Sequence, residues 1–158
     1  MRAALRTRPG KADMNDDELR VAPHLRRQPA HPSITTGQID TLVEQFYGRV
    51  RADALLGPVF EARIQDNWAP HLAKMKGFWR SVLLKTGEYK GRPVPAHVQI
   101  QTIEDTHYIT WLALFRETVA GIFETDAQPV VIEAAERIAS SLWLATSGQL
   151  LAKPPAWS

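Results

Sequence analysis

Apolar side chains in this chain of 158 residues recur at three- and four-residue spacing and nowhere alternate for the length of a strand. Such a period gathers them on one face of a helix, not of a strand. Ile39, Leu42, Val43, Phe46 and Val50 form one stripe, and Trp68, Leu72, Met75, Trp79 and Leu83 a second. Ile103, Trp111, Leu112, Phe115, Val119 and Ile122 form a third, and Ile132, Ala135, Ile138, Ala139 and Leu142 a fourth. The pattern predicts an all-α fold. Thr35 with Gln38 reads as a capping box that opens the first helix. Leu56-Gly57-Pro58 reads as its stop, before a short apolar segment of Val59, Phe60 and Ile64. Asp66, Thr102 and Asp126 are the expected caps of the later helices. Pro70 falls in a tolerant first turn. Gly87, Gly91, Pro93 and Pro95 exclude regular structure up to about His97, and Gly148 stops the last helix.

With 44% hydrophobic residues the chain has enough apolar mass for one sizeable core. No apolar run approaches the ~18 residues of a membrane span, so a soluble protein with no membrane partner is expected. The absence of cysteine removes disulfides, thiolate zinc sites, iron–sulfur clusters and a thiol nucleophile together. Any metal must then be held by histidine or carboxylate. The net charge of +2 divides unevenly. Residues 1–32 carry seven Lys/Arg against four Asp/Glu, whereas residues 33–158 carry twelve against thirteen. The basic character therefore belongs to the first segment and offers no nucleic-acid surface on the rest. With Pro9, Pro23, Pro29 and Pro32 and no apolar repeat, residues 1–32 read as a flexible basic extension, 33–150 as the folded domain and 151–158 as a C-terminal tail. The extension lacks the apolar centre of a signal peptide, and Asp16, Asp17 and Glu18 argue against an organelle transit sequence. A cytoplasmic monomer is the expectation.

Four ring-bearing residues interrupt this helical pattern: Tyr47 at the end of the first stripe, His71 in WAPHLAKMKGFW, His97 after TGEYKGRPVPA, and Trp111 in ITWLALF. Alone, His97 is a solvated loop residue and His71 a hydrogen-bonded residue at the edge of an apolar face. Together they outline a place for one flat metal cofactor and a small ligand. Haem iron takes a proximal imidazole on one side and leaves the other to a distal pocket whose donors decide what happens to the ligand. A di-iron carboxylate bundle normally needs two Glu-x-x-His motifs, and only Glu104-Asp105-Thr106-His107 is present. No Gly-x-Ser-x-Gly turn or phosphate loop points to a hydrolase. A cofactor-free helical interaction module, with these rings as packing and surface, is the competing reading.

From about Ile34 to Leu144 the sequence resembles the truncated haemoglobins of the third group. The motifs that carry the resemblance are Phe46-Tyr47, Leu56-Gly57-Pro58-Val59-Phe60, Trp68-Ala69-Pro70-His71 with Phe78-Trp79, Tyr89-Lys90-Gly91-Arg92-Pro93 with His97, and Trp111-Leu112-Ala113-Leu114-Phe115. Their order and gaps both agree with that group. The resemblance implies a two-over-two globin fold, with a long loop before the proximal histidine, that holds haem b. His97 would be the proximal iron ligand, Phe60 would press on the porphyrin, and Met75, Phe78 and Trp79 would line the cavity. Tyr47, His71 and Trp111 would form the distal set. Lys74 and Arg92 are candidates for pairing with a propionate, a solvated surface charge being the alternative for each. None of His24, His31 and His107 is assigned to iron. Tyr108 stands where the family commonly has phenylalanine, so its hydroxyl either enters the proximal side or turns away.

A phenol or indole N–H aimed at a bound ligand of partial negative charge is worth roughly 1.5–3 kcal/mol. Two such donors would tighten oxygen binding by roughly 10²- to 10⁴-fold and slow its release. The expectation is therefore a protein that binds dioxygen, NO and CO at a pentacoordinate iron for capture, NO detoxification or peroxide and redox chemistry, with a reductase as possible partner, rather than a bulk oxygen carrier. A six-coordinate state with His71 and His97 both on iron would suit electron transfer instead.

Overall fold

The computed structural model describes residues 28–91, 103–148 and 152–157. Among these there are five helices and no strand: α1 (Thr36–Ala52), α2 (Leu56–Ile64), α3 (Trp68–Leu84), α4 (Asp105–Ala120) and α5 (Gln128–Ser147). The predicted stripes account for the packing. Ile39, Leu42, Val43, Phe46 and Val50 of α1 are buried, as are Trp68, Trp79 and Leu83 of α3 and Leu112, Phe115 and Val119 of α4. Helix α1 packs on α3, α4 packs on α5, and α1 crosses from the first pair to the second by its contact with α4. This is a two-over-two arrangement. Its centre is aromatic: Phe46 meets Phe115 edge-on at 5.2 Å and Trp111 at 5.3 Å, while Phe115 stacks on both Trp79 and Trp111. Ion pairs brace the rims, with Lys76–Glu44 and Arg80–Asp40 joining α3 to α1 and Arg116–Glu136 joining α4 to α5. None of the described helices is long and apolar enough to cross a membrane.

The helix ends differ from expectation in instructive ways. Thr35 and Gln38 do form a reciprocal capping box. Leu56-Gly57-Pro58, however, opens a helix instead of closing one. The first helix has already stopped at Ala52, and Asp53 accepts the backbone N–H groups of Leu55 and Leu56 through Oδ1, so the orphan donors of α2 are satisfied and Pro58 sits in a first turn where its missing N–H costs nothing. Gly57 is required there. A Cβ on it would lie 2.7 Å from the Arg51 carbonyl oxygen, because the chain doubles back closely from α1 to α2. Asp66 does not cap α3, whose flanking residue is Asn67, and α5 begins after Ala127 instead of Asp126. Helix α4 starts after Glu104, and Thr102 lies outside the described residues. Asp126 is used differently: its carboxylate lies 3.4 Å from His31 Nε2, and Ala30 N–H donates to Leu83 O, so the chain before α1 is tied across the end of α3. At the other terminus Trp157 donates its indole N–H to Ser140 Oγ and sits 6.0 Å from the Tyr108 ring.

Candidate functional site

Helices α1 and α3 bring the distal candidates together because their apolar stripes face each other. Tyr47 is the last large residue of the α1 stripe. Its ring meets His71 of α3 at 5.2 Å and 90°, Trp68 at 6.1 Å and Phe60 of α2 at 6.1 Å. Trp68 and His71, one turn apart on α3, also pack edge to face at 5.8 Å. Arg51 lies over the outer face of Trp68, 4.3 Å from its centroid, and is held there by Glu61. The cluster is thus closed from outside by a cation–π contact.

On the inner side of Tyr47 lies a cavity of about 90 Å³. Tyr47, Phe60, Met75, Phe78, Trp79 and Trp111 all line it, so six of the residues singled out in the sequence share one wall. His71 does not line it and stands behind Tyr47. Lys74 is exposed on α3, outside the cavity. His97 and Arg92 lie outside the described residues. A shallower groove of about 360 Å³ shares Phe78, Ile138 and Leu142 with the cavity and continues it between α3 and α5.

Among the polar-tipped side chains of this largely apolar wall, four differ in what they bond. Tyr108 is buried, and its hydroxyl pairs with Thr146 Oγ1 at 2.7 Å. The hydroxyl that replaces the expected phenylalanine is thereby turned onto α5, away from the cavity. Its ionisation is pushed up, chiefly by burial, against a lowering by the Thr146 bond and with a further push from Asp105. Tyr47 is 6% exposed, and its hydroxyl makes no hydrogen bond to any described residue. Burial alone holds this phenol well above its ordinary ionisation range. Trp111 likewise reaches the cavity with no hydrogen bond to its indole N–H among the described residues. His107 is the fourth.

An apolar slot with a few convergent polar groups is the usual form of a cofactor or small-molecule site, and a buried donor without an acceptor is a group waiting for one. A flat aromatic cofactor suits the walls by this chemistry: rings and aliphatic chains for its faces, with the polar tips of Tyr47 and Trp111 among them. At 90 Å³ the cavity is below the roughly 300–1,000 Å³ of typical ligand pockets, and the groove of about 360 Å³ beside it shares Phe78, Ile138 and Leu142.

Sequence reasoning missed part of this wall. Leu56, Val59, Ile103, Ile138, Ala139 and Leu142 line it as well, yet in sequence they are indistinguishable from plain core stripe. Trp68 belongs to the Trp-x-x-His motif but carried no separate signal for contact with both Tyr47 and His71.

No family model matches the chain. It is 33% identical over 111 residues to the group 3 truncated hemoglobin ctb of Campylobacter jejuni, an alignment that covers 68% of this chain and 87% of that protein. The fold is similar to the crystal structure of group III truncated hemoglobin from Campylobacter jejuni, with a TM-score of 0.66 and 32% identity over 71% of this chain and 91% of the other. Fold, motif order and pairwise identity agree, and the chain belongs to the group III truncated haemoglobins.

Proposed function

We propose that this chain holds haem b and binds small diatomic ligands, dioxygen, NO and CO, for capture or redox chemistry rather than for bulk oxygen transport. The observation that carries the reading is Tyr47, a residue only 6% exposed that lines the apolar cavity and whose hydroxyl has no hydrogen bond to any described residue. Its relatives are named as truncated hemoglobins. Haem, when bound, would supply an iron that takes a small diatomic ligand, and His97 is the residue that would hold that iron. Phe60, Met75, Phe78 and Trp79, which line the cavity, would pack against the macrocycle and exclude water.

Tyr47 and Trp111 do the polar work. Burial keeps the Tyr47 phenol protonated throughout the physiological range, so it remains a donor. Both rings pack against Phe46 and both line the cavity. Each donor to a partly negative ligand atom is worth roughly 1.5–3 kcal/mol, and two slow its release by orders of magnitude. His71 contributes through Tyr47: edge-on packing at 5.2 Å restrains the phenol ring. That position behind Tyr47 favours five-coordinate iron over a His71–His97 pair. Lys74 and Arg92 remain the candidates for propionate pairing. The test is the oxygen dissociation rate of the haem-loaded Tyr47→Phe variant. A rise of roughly tenfold to hundredfold is expected from the loss of one such donor. An unchanged rate would remove Tyr47 from the account.

A further inference from the structure

The cavity wall contains one more polar residue, His107, and its hydrogen bonding fixes what it can do. Helix α4 opens with a local exchange in which Glu104 N–H donates to His107 Nδ1 at 3.0 Å and His107 N–H donates to Glu104 O at 3.0 Å. A backbone N–H can only donate, so Nδ1 must accept, and the neutral imidazole therefore carries its proton on Nε2. The ring is part-buried and lines the cavity. This tautomer weighs against His107 as an iron ligand through Nε2. Coordination there would require the proton to move to Nδ1, and the bond that caps α4 would be lost.

The ring is only part-buried and its bond to Glu104 N–H is exposed, so His107 stands where the cavity wall meets solvent. Tyr108, its neighbour, has its hydroxyl committed to Thr146. Tyr47 and Trp111 stand together beside Phe46. His107 precedes Trp111 by one helical turn and is thus displaced by about 6 Å along α4. It is not a third member of the same donor group. The geometry points to His107 as the residue that donates from Nε2 to a carboxylate on the rim of the bound cofactor. The inference rests on the haem reading above and adds to it a binding residue toward the propionate-bearing edge. A neutral imidazole suits this role in an apolar wall, because it supplies the donor without the desolvation cost of a buried lysine or arginine.

The test compares haem with its dimethyl ester, in which both carboxylates are capped. Full-length protein is loaded with each, and loss to an excess of a scavenging apoprotein is followed by absorbance. His107→Leu is expected to speed haem loss about tenfold to hundredfold, in line with a charge-assisted hydrogen bond, and to leave loss of the diester unchanged. His107→Gln can accept from Glu104 N–H and still donate, and should restore most of the retention. The unfolding midpoint of the cofactor-free variants reports separately on the helix cap, which the ratio of haem to diester cancels. Equal acceleration for both cofactors assigns His107 to packing alone and overturns the inference, as does an unchanged haem loss rate. A wild-type chain that takes up neither cofactor overturns the haem reading itself, a result distinct from either.

Discussion

Replacing Tyr47 by phenylalanine should make the cofactor-free protein more stable, although tyrosine is the residue assigned to ligand binding. The phenol ring is 6% exposed and packed edge-on by Phe46 at 5.2 Å and Phe60 at 6.1 Å, contacts that phenylalanine keeps. What the substitution removes is a hydroxyl with no hydrogen bond to any described residue. An unpaired hydroxyl in an apolar setting costs about 1–3 kcal/mol in proteins. The Tyr47 side chain faces the cavity, where a water can offset part of that cost, so the lower end applies and a gain of about 1 kcal/mol is expected. In a chain of this size that raises Tm by roughly 2–4 °C. Urea unfolding of the cofactor-free protein, followed by tryptophan fluorescence, measures the change directly, with an unaltered m value as the check that the native state is the same. A loss of about 1 kcal/mol or more, the usual result of breaking a buried hydrogen bond, would refute the reasoning. A stabilising change in the empty protein that weakens the loaded one would mark Tyr47 as a residue kept for function.

Three other outcomes test the fold. Gly57→Ala places a Cβ 2.7 Å from the Arg51 carbonyl oxygen and should lower stability by about 1–3 kcal/mol as an overpacking change; a neutral effect in urea unfolding would contradict the close approach of α1 and α2. Phe115→Ala opens the centre of the aromatic cluster, where Phe115 is fully buried between Phe46, Trp79 and Trp111, and should cost about 3–5 kcal/mol by the same measurement. Stability should also fall in alkali. Unfolded phenols ionise near pH 10, whereas burial keeps Tyr47 and Tyr108 protonated to higher pH in the fold, so above about pH 10 the folded state binds more protons than the unfolded one and the loss grows until the folded phenols ionise. Tyr47→Phe should flatten that slope by up to about 1.4 kcal/mol per pH unit, and an identical slope in both proteins would count against the buried phenol.

The sequence resolved stripes better than ends, and walls better than bonds. All four long stripes became helices because a 3.6-residue apolar period has only one way to bury itself, and the buried residues of α1 are those of its stripe together with the neighbouring Tyr47. Caps depend on the backbone angles of single residues, which composition does not set. Thr35 was legible because Gln38 answers it three positions on. Asp66 and Asp126 had no such partner, and the second is taken by His31. Gly-Pro after Leu56 looks like a stop until Asp53 is seen supplying acceptors to the new helix. In the site, Met75, Trp79 and Trp111 were legible from the apolar stripes and Tyr47 from its place beside one, whereas Phe60 and Phe78 were named through the family resemblance. The position of His71 behind Tyr47, the diversion of the Tyr108 hydroxyl to Thr146 and the tautomer of His107 are all set by partners distant in sequence or by backbone geometry. No spacing rule could have revealed them.

One titration bears on the central claim most directly. Hemin is added stepwise to the purified full-length chain and to His97→Ala, and the visible spectrum is recorded in the ferric, ferrous and carbonyl forms. The account predicts an intense Soret band that saturates at one haem per chain and is lost or strongly altered in the variant. A wild-type titration indistinguishable from free hemin, or a variant whose spectra match the wild type in all three forms, would contradict it.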